Sequence, residues 1–137
     1  MAMILAADDD PALIEYYKAL FSEAGLEIET ANDGASALDK YLEVHPDLLV
    51  LDVDMPNGGG ERLFSIIRRI LQLGRPVIFV TGLPEKVQGL ALTYQWVSIF
   101  QKPVKGEELL SEVKRLLAAS DFKAGGGNLS RNSVPVT

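Results

Sequence analysis

The chain contains no cysteine and a single histidine, His45. A disulfide framework and a thiolate metal site are therefore excluded, and any bound cation must be held by oxygen. His45 precedes Pro46 and reads as an exposed turn residue. No apolar stretch approaches the roughly 20 residues that a membrane-spanning helix requires. The opening Met1-Ala2-Met3-Ile4-Leu5-Ala6-Ala7 has no basic segment ahead of it and runs into three acids, so it does not read as a secretory signal. Positive charge is also scarce: the net charge is −6, whereas a direct nucleic-acid binder would carry a basic face. The expectation is a cytoplasmic protein that contacts neither membrane nor nucleic acid directly.

What is present is apolar material for one core: 47% of 137 residues are hydrophobic, within the usual span of a single domain. Short apolar runs alternate with stretches of helical period, the pattern of a parallel sheet covered on both faces by helices. Predicted strands run over Met3 to Ala7, Leu26 to Ala31, Asp47 to Asp52, Pro76 to Thr81 and Trp96 to Phe100. A helix is predicted from Pro11 to Ala24, with Asp10 as N-cap, Leu13, Ile14, Tyr17, Leu20 and Phe21 on one face and Gly25 at its close. A second follows Asn32-Asp33-Gly34 with Ala37, Leu38, Tyr41 and Leu42, and Pro46 stops it. A third carries Leu63, Ile66, Ile67, Ile70 and Leu71 towards Gly74. Pro84 starts a brief fourth helix interrupted by Gly89, and the last spans Glu107 to Ala119. The domain is expected to occupy 1–120. The segment 121–137, with Gly125-Gly126-Gly127, reads as a flexible tail or a truncated linker.

Parallel strands place their C-terminal ends on one edge, where open α/β sheets keep their ligand sites. Those ends are Asp8-Asp9-Asp10, Asp52, Thr81 and Gln101-Lys102-Pro103. Asp52 is delivered by the run Leu48-Leu49-Val50-Leu51 to a loop, Val53-Asp54-Met55-Pro56-Asn57-Gly58-Gly59-Gly60, that cannot extend the strand. Carboxylates about 4 Å apart repel by roughly 4 kcal/mol per pair at an effective dielectric of 20, so a cation or a lysine is needed to hold them ionised. The oxygen donors suit Mg²⁺. Asp52 is then a candidate nucleophile towards phosphorus, with Lys102 neutralising charge and Thr81 donating to a phosphoryl oxygen. Taken singly each part has a bland reading: a solvated acidic turn, a β-forming threonine, an exposed Lys-Pro. Their order at the ends of four strands is what a plain doubly wound fold has no reason to produce.

Together these residues resemble the receiver domains of bacterial two-component response regulators over about Met3 to Ala119. Asp8 and Asp9 look like that family's acidic pair, Asp52 in "LDVDMP" like its phosphoacceptor, Thr81 like its hydroxyl residue and Lys102-Pro103 like its lysine and following proline, commonly cis. The resemblance implies a flavodoxin-like doubly wound sheet of order 2-1-3-4-5. It implies Mg²⁺ held by Asp9, Asp52 and the backbone carbonyl of Asp54, with Asp8 supporting. It also implies phosphoryl transfer from a histidine kinase or histidine phosphotransfer protein, and switching towards a downstream protein or output domain, a homodimer being compatible.

Four positions depart from the family pattern. Asp54 adds a carboxylate at the mouth of the site, either a plain solvated residue or one that positions the water hydrolysing an aspartyl phosphate. Ile99 stands at the switch position, commonly Tyr or Phe, and an aliphatic cannot make a hydroxyl switch. The segment between Thr81 and Lys102 is short, so the fourth helix is expected to be truncated. Three consecutive glycines, Gly58 to Gly60, are expected to leave their loop mobile. Trp96 and Phe100 read as core, with an exposed partner surface as the alternative. Two competing functions remain. One is a pseudo-receiver that only binds partners. The other is an Asp-nucleophile phosphatase of the haloacid dehalogenase type, which "Asp-Val-Asp" also resembles, although those enzymes place the nucleophile strand first and the acidic pair last.

Overall fold

The computed structural model describes residues 2–55 and 60–125, without the side chains of 60–64 and 120–125. Five parallel strands, β1 (Met3–Ala7), β2 (Glu27–Ala31), β3 (Leu48–Leu51), β4 (Val77–Thr81) and β5 (Val97–Gln101), form one sheet in the order β2-β1-β3-β4-β5. Helices α1 (Pro11–Glu23), α2 (Gly34–Val44), α3 (Gly60–Gln72), α4 (Gln88–Thr93) and α5 (Gly106–Gly125) connect and cover it. The flavodoxin-like doubly wound fold is thus the one expected.

Side chains alternate across a strand with period two, so each apolar run feeds two cores. Leu5, Ala7, Leu49, Leu51, Val77 and Phe79 pack beneath Ala37, Ile67, Ile70, Leu71 and Leu90 of α2, α3 and α4. Ile4, Ala6, Leu48, Val50, Ile78 and Val80 pack against Ile14, Tyr17 and Phe21 of α1 and Leu109, Val113 and Leu116 of α5. Trp96 and Phe100 are half-buried against these cores, Trp96 touching both, which favours the packing role expected of them.

Local chemistry sets the element ends. The Asp10 carboxylate accepts from Ala12 N at 3.0 Å and Pro11 occupies the first turn of α1, while Asp33 caps α2 through Ser36 N at 2.7 Å. Gly25 and Gly74 both take φ +82° just past a helix, where a side chain would be strained. His45 is exposed, as expected, and closes α2 in the left-handed region at φ 48°.

Several expectations shift. Leu42 is 68% exposed: α2 packs through Gly34, Ala37, Leu38 and Tyr41, and Leu42 lies about 100° further round than Tyr41. The fourth helix divides into a 3₁₀ turn, Pro84–Lys86, and the six-residue α4. The fifth strand starts one residue later than expected, at Val97. The last helix continues past Ala119 to Gly125, since Asp121-Phe122-Lys123-Ala124 contains nothing that breaks a helix. The glycine loop expected to be mobile falls, but for Gly60, outside the described residues, as does 126–137. Among the described residues no helix is long and apolar enough to cross a membrane.

Candidate functional site

Asp8 and Asp52 each stand one residue beyond their strands, and the ladder still holds them. Asp8 N donates to Ala31 O and Asp52 N to Ala7 O, both at 3.1 Å. Extending the alternation by one step puts Asp8 above Ala6 and Asp52 above Val50, on the side that α1 and α5 cover. Lys102 continues Ser98 and Phe100 onto that same side, and its backbone N donates to Thr81 O at 2.9 Å. The Lys102-Pro103 bond is cis. Ile99 has the opposite parity and belongs to the α3 and α4 side, while Thr81 ends β4 at the same edge as Asp52. Thr81 is fully buried and its Oγ1 accepts from Leu83 N at 2.9 Å, leaving its hydroxyl proton to donate. Ile99 is half-buried, pairs with Phe79 and packs on the core beneath α3 and α4.

Lys102 joins the two acids. Its Nζ lies 2.8 Å from Asp8 Oδ2 and 3.3 Å from Asp52 Oδ2. The remaining oxygens take backbone donors, Asp8 Oδ1 from Asp10 N at 2.9 Å and Asp52 Oδ1 from Asp54 N at 3.3 Å. Asp8 is 1% exposed and Asp52 5%, whereas Asp9 and Asp54 are exposed. One oxygen from each of Asp8, Asp9 and Asp52 falls within 4.8 Å of the others. Two buried carboxylates thus share one lysine with a third beside them, a surplus of negative charge. Burial, outweighing Lys102, raises the Asp8 carboxyl above its ordinary value. For Lys102, burial is the largest single influence and opposes its charge, but Asp8 and Asp52 together exceed it and the ammonium is held above its usual range. Lys102 therefore stays cationic at neutral pH.

These donors fit a small divalent cation. They are hard oxygens at one lip, Asp8 Oδ2 has no partner besides Lys102, and one lysine leaves the acids undercompensated. Asp8, Asp9 and Asp52 are brought together, while Asp54 is tied to them through its backbone with its side chain in solvent. Tyr17 was expected only as core. It is 1% exposed, yet its hydroxyl has no hydrogen-bond partner. The signal in the sequence is a phenol among aliphatic core positions. A cavity of about 530 Å³ opens elsewhere, between α1, the end of β2 and α2, and none of the site residues lines it. The carboxylates instead lie at the lip of the sheet.

This geometry can be set beside known proteins. The family model "Response regulator receiver domain" matches residues 4–114. The transcriptional regulatory protein TrcR of Mycobacterium tuberculosis is 34% identical over 122 residues, covering 85% of this chain and 46% of that protein. The response regulator MprA of Mycobacterium leprae is 36% identical over 119 residues, covering 83% of this chain and 50% of its own. The chain thus spans about half the length of these curated relatives. A CheY-like receiver domain structure from Methanospirillum hungatei superposes with a TM-score of 0.77 at 27% identity, covering 90% of this chain and 98% of that one. A match across both cores and all the strand ends that build the acidic lip leaves one conclusion: the chain belongs to the response regulator receiver domains, the phosphoacceptor modules of two-component phosphorelay signalling.

Proposed function

We propose that Asp52 is the phosphoacceptor of this chain, and that its donor is a phosphohistidine on a histidine kinase or histidine phosphotransfer protein. An oxygen of Asp52 attacks phosphorus, the P–N bond to the donor imidazole breaks, and the bonding pair leaves with the nitrogen. The observation that carries this reading is the placement of Asp52. Its carboxylate is 5% exposed at an open lip, held by the cationic Lys102 at 3.3 Å and faced by two further acids. In a loose phosphoryl-transfer transition state, positioning and charge neutralisation supply most of the catalysis. Lys102 lies between Asp8 and Asp52, within reach of an oxygen of the incoming group, and the Thr81 hydroxyl donates to another.

Asp9, Asp52 and the backbone carbonyl of Asp54 would hold Mg²⁺, with Asp8 supporting. When bound, the ion supplies the positive charge that the lip lacks. Asp54 is exposed, and we assign it a role in aligning the water that attacks the aspartyl phosphate, with Asp52 as leaving group and inorganic phosphate as product. The phosphoprotein of Asp54→Asn should outlive that of the parent; an unchanged or shorter half-life rejects this role. With Ile99 at the switch position no side-chain hydroxyl is available there, so phosphorylation would shift packing beneath α3 and α4 and thereby a partner-binding surface. The partners on this reading are the phosphodonor protein and a downstream protein or output domain, in the cytoplasm, with a homodimer as one form of the response.

The test is incubation with Mg²⁺ and a small acyl-phosphate donor, read by intact mass beside Asp52→Asn. One added phosphoryl group on the parent and none on the variant supports the proposal. No added mass on the parent defeats it and leaves a non-phosphorylated interaction module. Turnover of many donor equivalents would instead identify an Asp-nucleophile phosphatase.

A further inference from the structure

Tyr17 has no part in the chemistry above, yet it lies under the acidic lip. It sits in the second turn of α1, its ring stacked on Phe21 with centroids 5.9 Å apart. Side chains of a helix lean towards its N-terminus, and the N-terminus of α1 follows directly on Asp8-Asp9-Asp10. Tyr17 also belongs to the core that contains Ala6 and Val50, the face that Asp8 and Asp52 continue. The phenol therefore lies on the side of the sheet that Asp8 and Asp52 continue, within the field of both carboxylates. Its proton is held tightly, first by burial and then by the negative charges of Asp8 and Asp52, as expected of a hydroxyl within their field.

Among the described residues, two buried side-chain polar atoms have no hydrogen-bond partner: the Tyr17 hydroxyl and Asp8 Oδ2. Asp8 Oδ2 meets Lys102 Nζ in an ion pair at 2.8 Å, which leaves a lone pair of that oxygen for a further donor. The Tyr17 hydroxyl is a donor without an acceptor, and Asp8 Oδ2 is an acceptor with capacity beyond its ion pair. Buried polar groups are almost always satisfied, and a buried water is the usual bridge when two of them do not meet.

We propose that Tyr17 is a positioning residue for Asp8: its hydroxyl donates through one buried water to Asp8 Oδ2 and holds that carboxylate in the orientation shared with Lys102 and a divalent cation. The inference rests on reading the acidic lip as a cation site, and it does not depend on the reactivity of Asp52. Tyr17 acts through Asp8, as outer partners of metal-holding carboxylates do.

The experiment compares Tyr17→Phe, Asp8→Asn and the double variant with the parent. Mg²⁺ alone is titrated by calorimetry, and urea unfolding is followed in metal-free buffer. Tyr17→Phe keeps the ring and its stacking, and should weaken Mg²⁺ binding about tenfold. In the Asp8→Asn background the same substitution should have no further effect, in affinity or in unfolding midpoint. A merely structural phenol predicts the reverse: unchanged Mg²⁺ affinity, equal or higher stability on losing an orphan hydroxyl, and additivity in the double variant. That pattern overturns the proposal. Should the parent bind no Mg²⁺, the cation reading has failed, and the metal-free cycle decides: non-additivity upholds the Tyr17–Asp8 link and additivity rejects it.

Discussion

The two ends of the sheet both pair aspartate with a cationic side chain, and they do opposite things with the pair. At the N-terminal edge, Asp47 accepts from Met3 N at 2.8 Å and meets Arg75 at 3.4 Å, with both side chains over a third exposed. One acid faces one base, a backbone donor completes the set, and water screens the rest. At the C-terminal edge, the buried Asp8 and Asp52 share the half-buried Lys102, and Asp9 adds a third carboxylate. The first arrangement is electrostatically closed and ties β1 to the loops before β3 and β4. The second carries surplus negative charge held in place by the fold, and the proposed phosphoacceptor role rests on that surplus. Burial and stoichiometry distinguish the two ends, more than residue type does.

The contrast is open to direct challenge. Lys102→Met strands two buried carboxylates and should cost about 3 kcal/mol of stability in metal-free urea unfolding. A loss no greater than that of Arg75→Met, under about 1 kcal/mol for an exposed pair, would erase the difference between the two ends. Mg²⁺ at ten times its dissociation constant should stabilise the parent by about 1.4 kcal/mol, seen as a rise in melting temperature that chelation reverses. Asp52→Asn should lose most of that rise and Asp47→Asn none of it.

The next prediction is one of sign. Asp8→Asn relieves a buried charge and should raise metal-free stability by about 1 kcal/mol, whereas Asp47→Asn should lower it slightly. The smallest effect concerns a third pairing, on the flank of the sheet, where Ser98 of β5 donates to Glu112 of α5 and Arg115 pairs with the same carboxylate at 2.7 Å. Arg115, the first cause, and Ser98 hold Glu112 below its ordinary value of 4.5, against the opposing effect of burial. The unfolded chain therefore binds this proton more readily than the folded one, and stability from Glu112 is present above pH 4.5 and lost as pH falls through the folded value. Arg115 is exposed, so the loss should stay under about 1 kcal/mol. Acid unfolding of Glu112→Gln should show a correspondingly shallower slope below pH 4.5.

Much of this was legible because it is locally encoded. Leu48 to Leu51 reads as a doubly buried strand since a parallel sheet hides both faces. Asp10-Pro11 and Asp33-Gly34 announce helix starts, and Gly25 and Gly74 mark helix ends, each through its own backbone chemistry. The fourth helix was harder. Gly89 weakens the period, and the 3₁₀ turn that takes up Pro84 to Lys86 follows from the short path between β4 and β5. Leu42 was misplaced because periodicity fixes a stripe but not where along the helix the sheet beneath it ends. The extension of α5 to Gly125 was missed because helix-compatible residues were read with the glycines that follow them.

By itself the sequence determined the number and order of the elements, the parallel sheet, and the delivery of Asp8, Asp52, Thr81 and Lys102 to one edge. Each of these rests on side-chain period and backbone preference within a few residues. Only the tertiary structure decided that Lys102 bridges Asp8 and Asp52, that Ile99 packs on the core beneath α3 and α4, and that the Tyr17 hydroxyl is buried without a hydrogen-bond partner. Those facts depend on which side chains from distant parts of the chain are packed and dehydrated together. Burial, and with it the strength of a charge, is a property of the assembled fold and of no single segment.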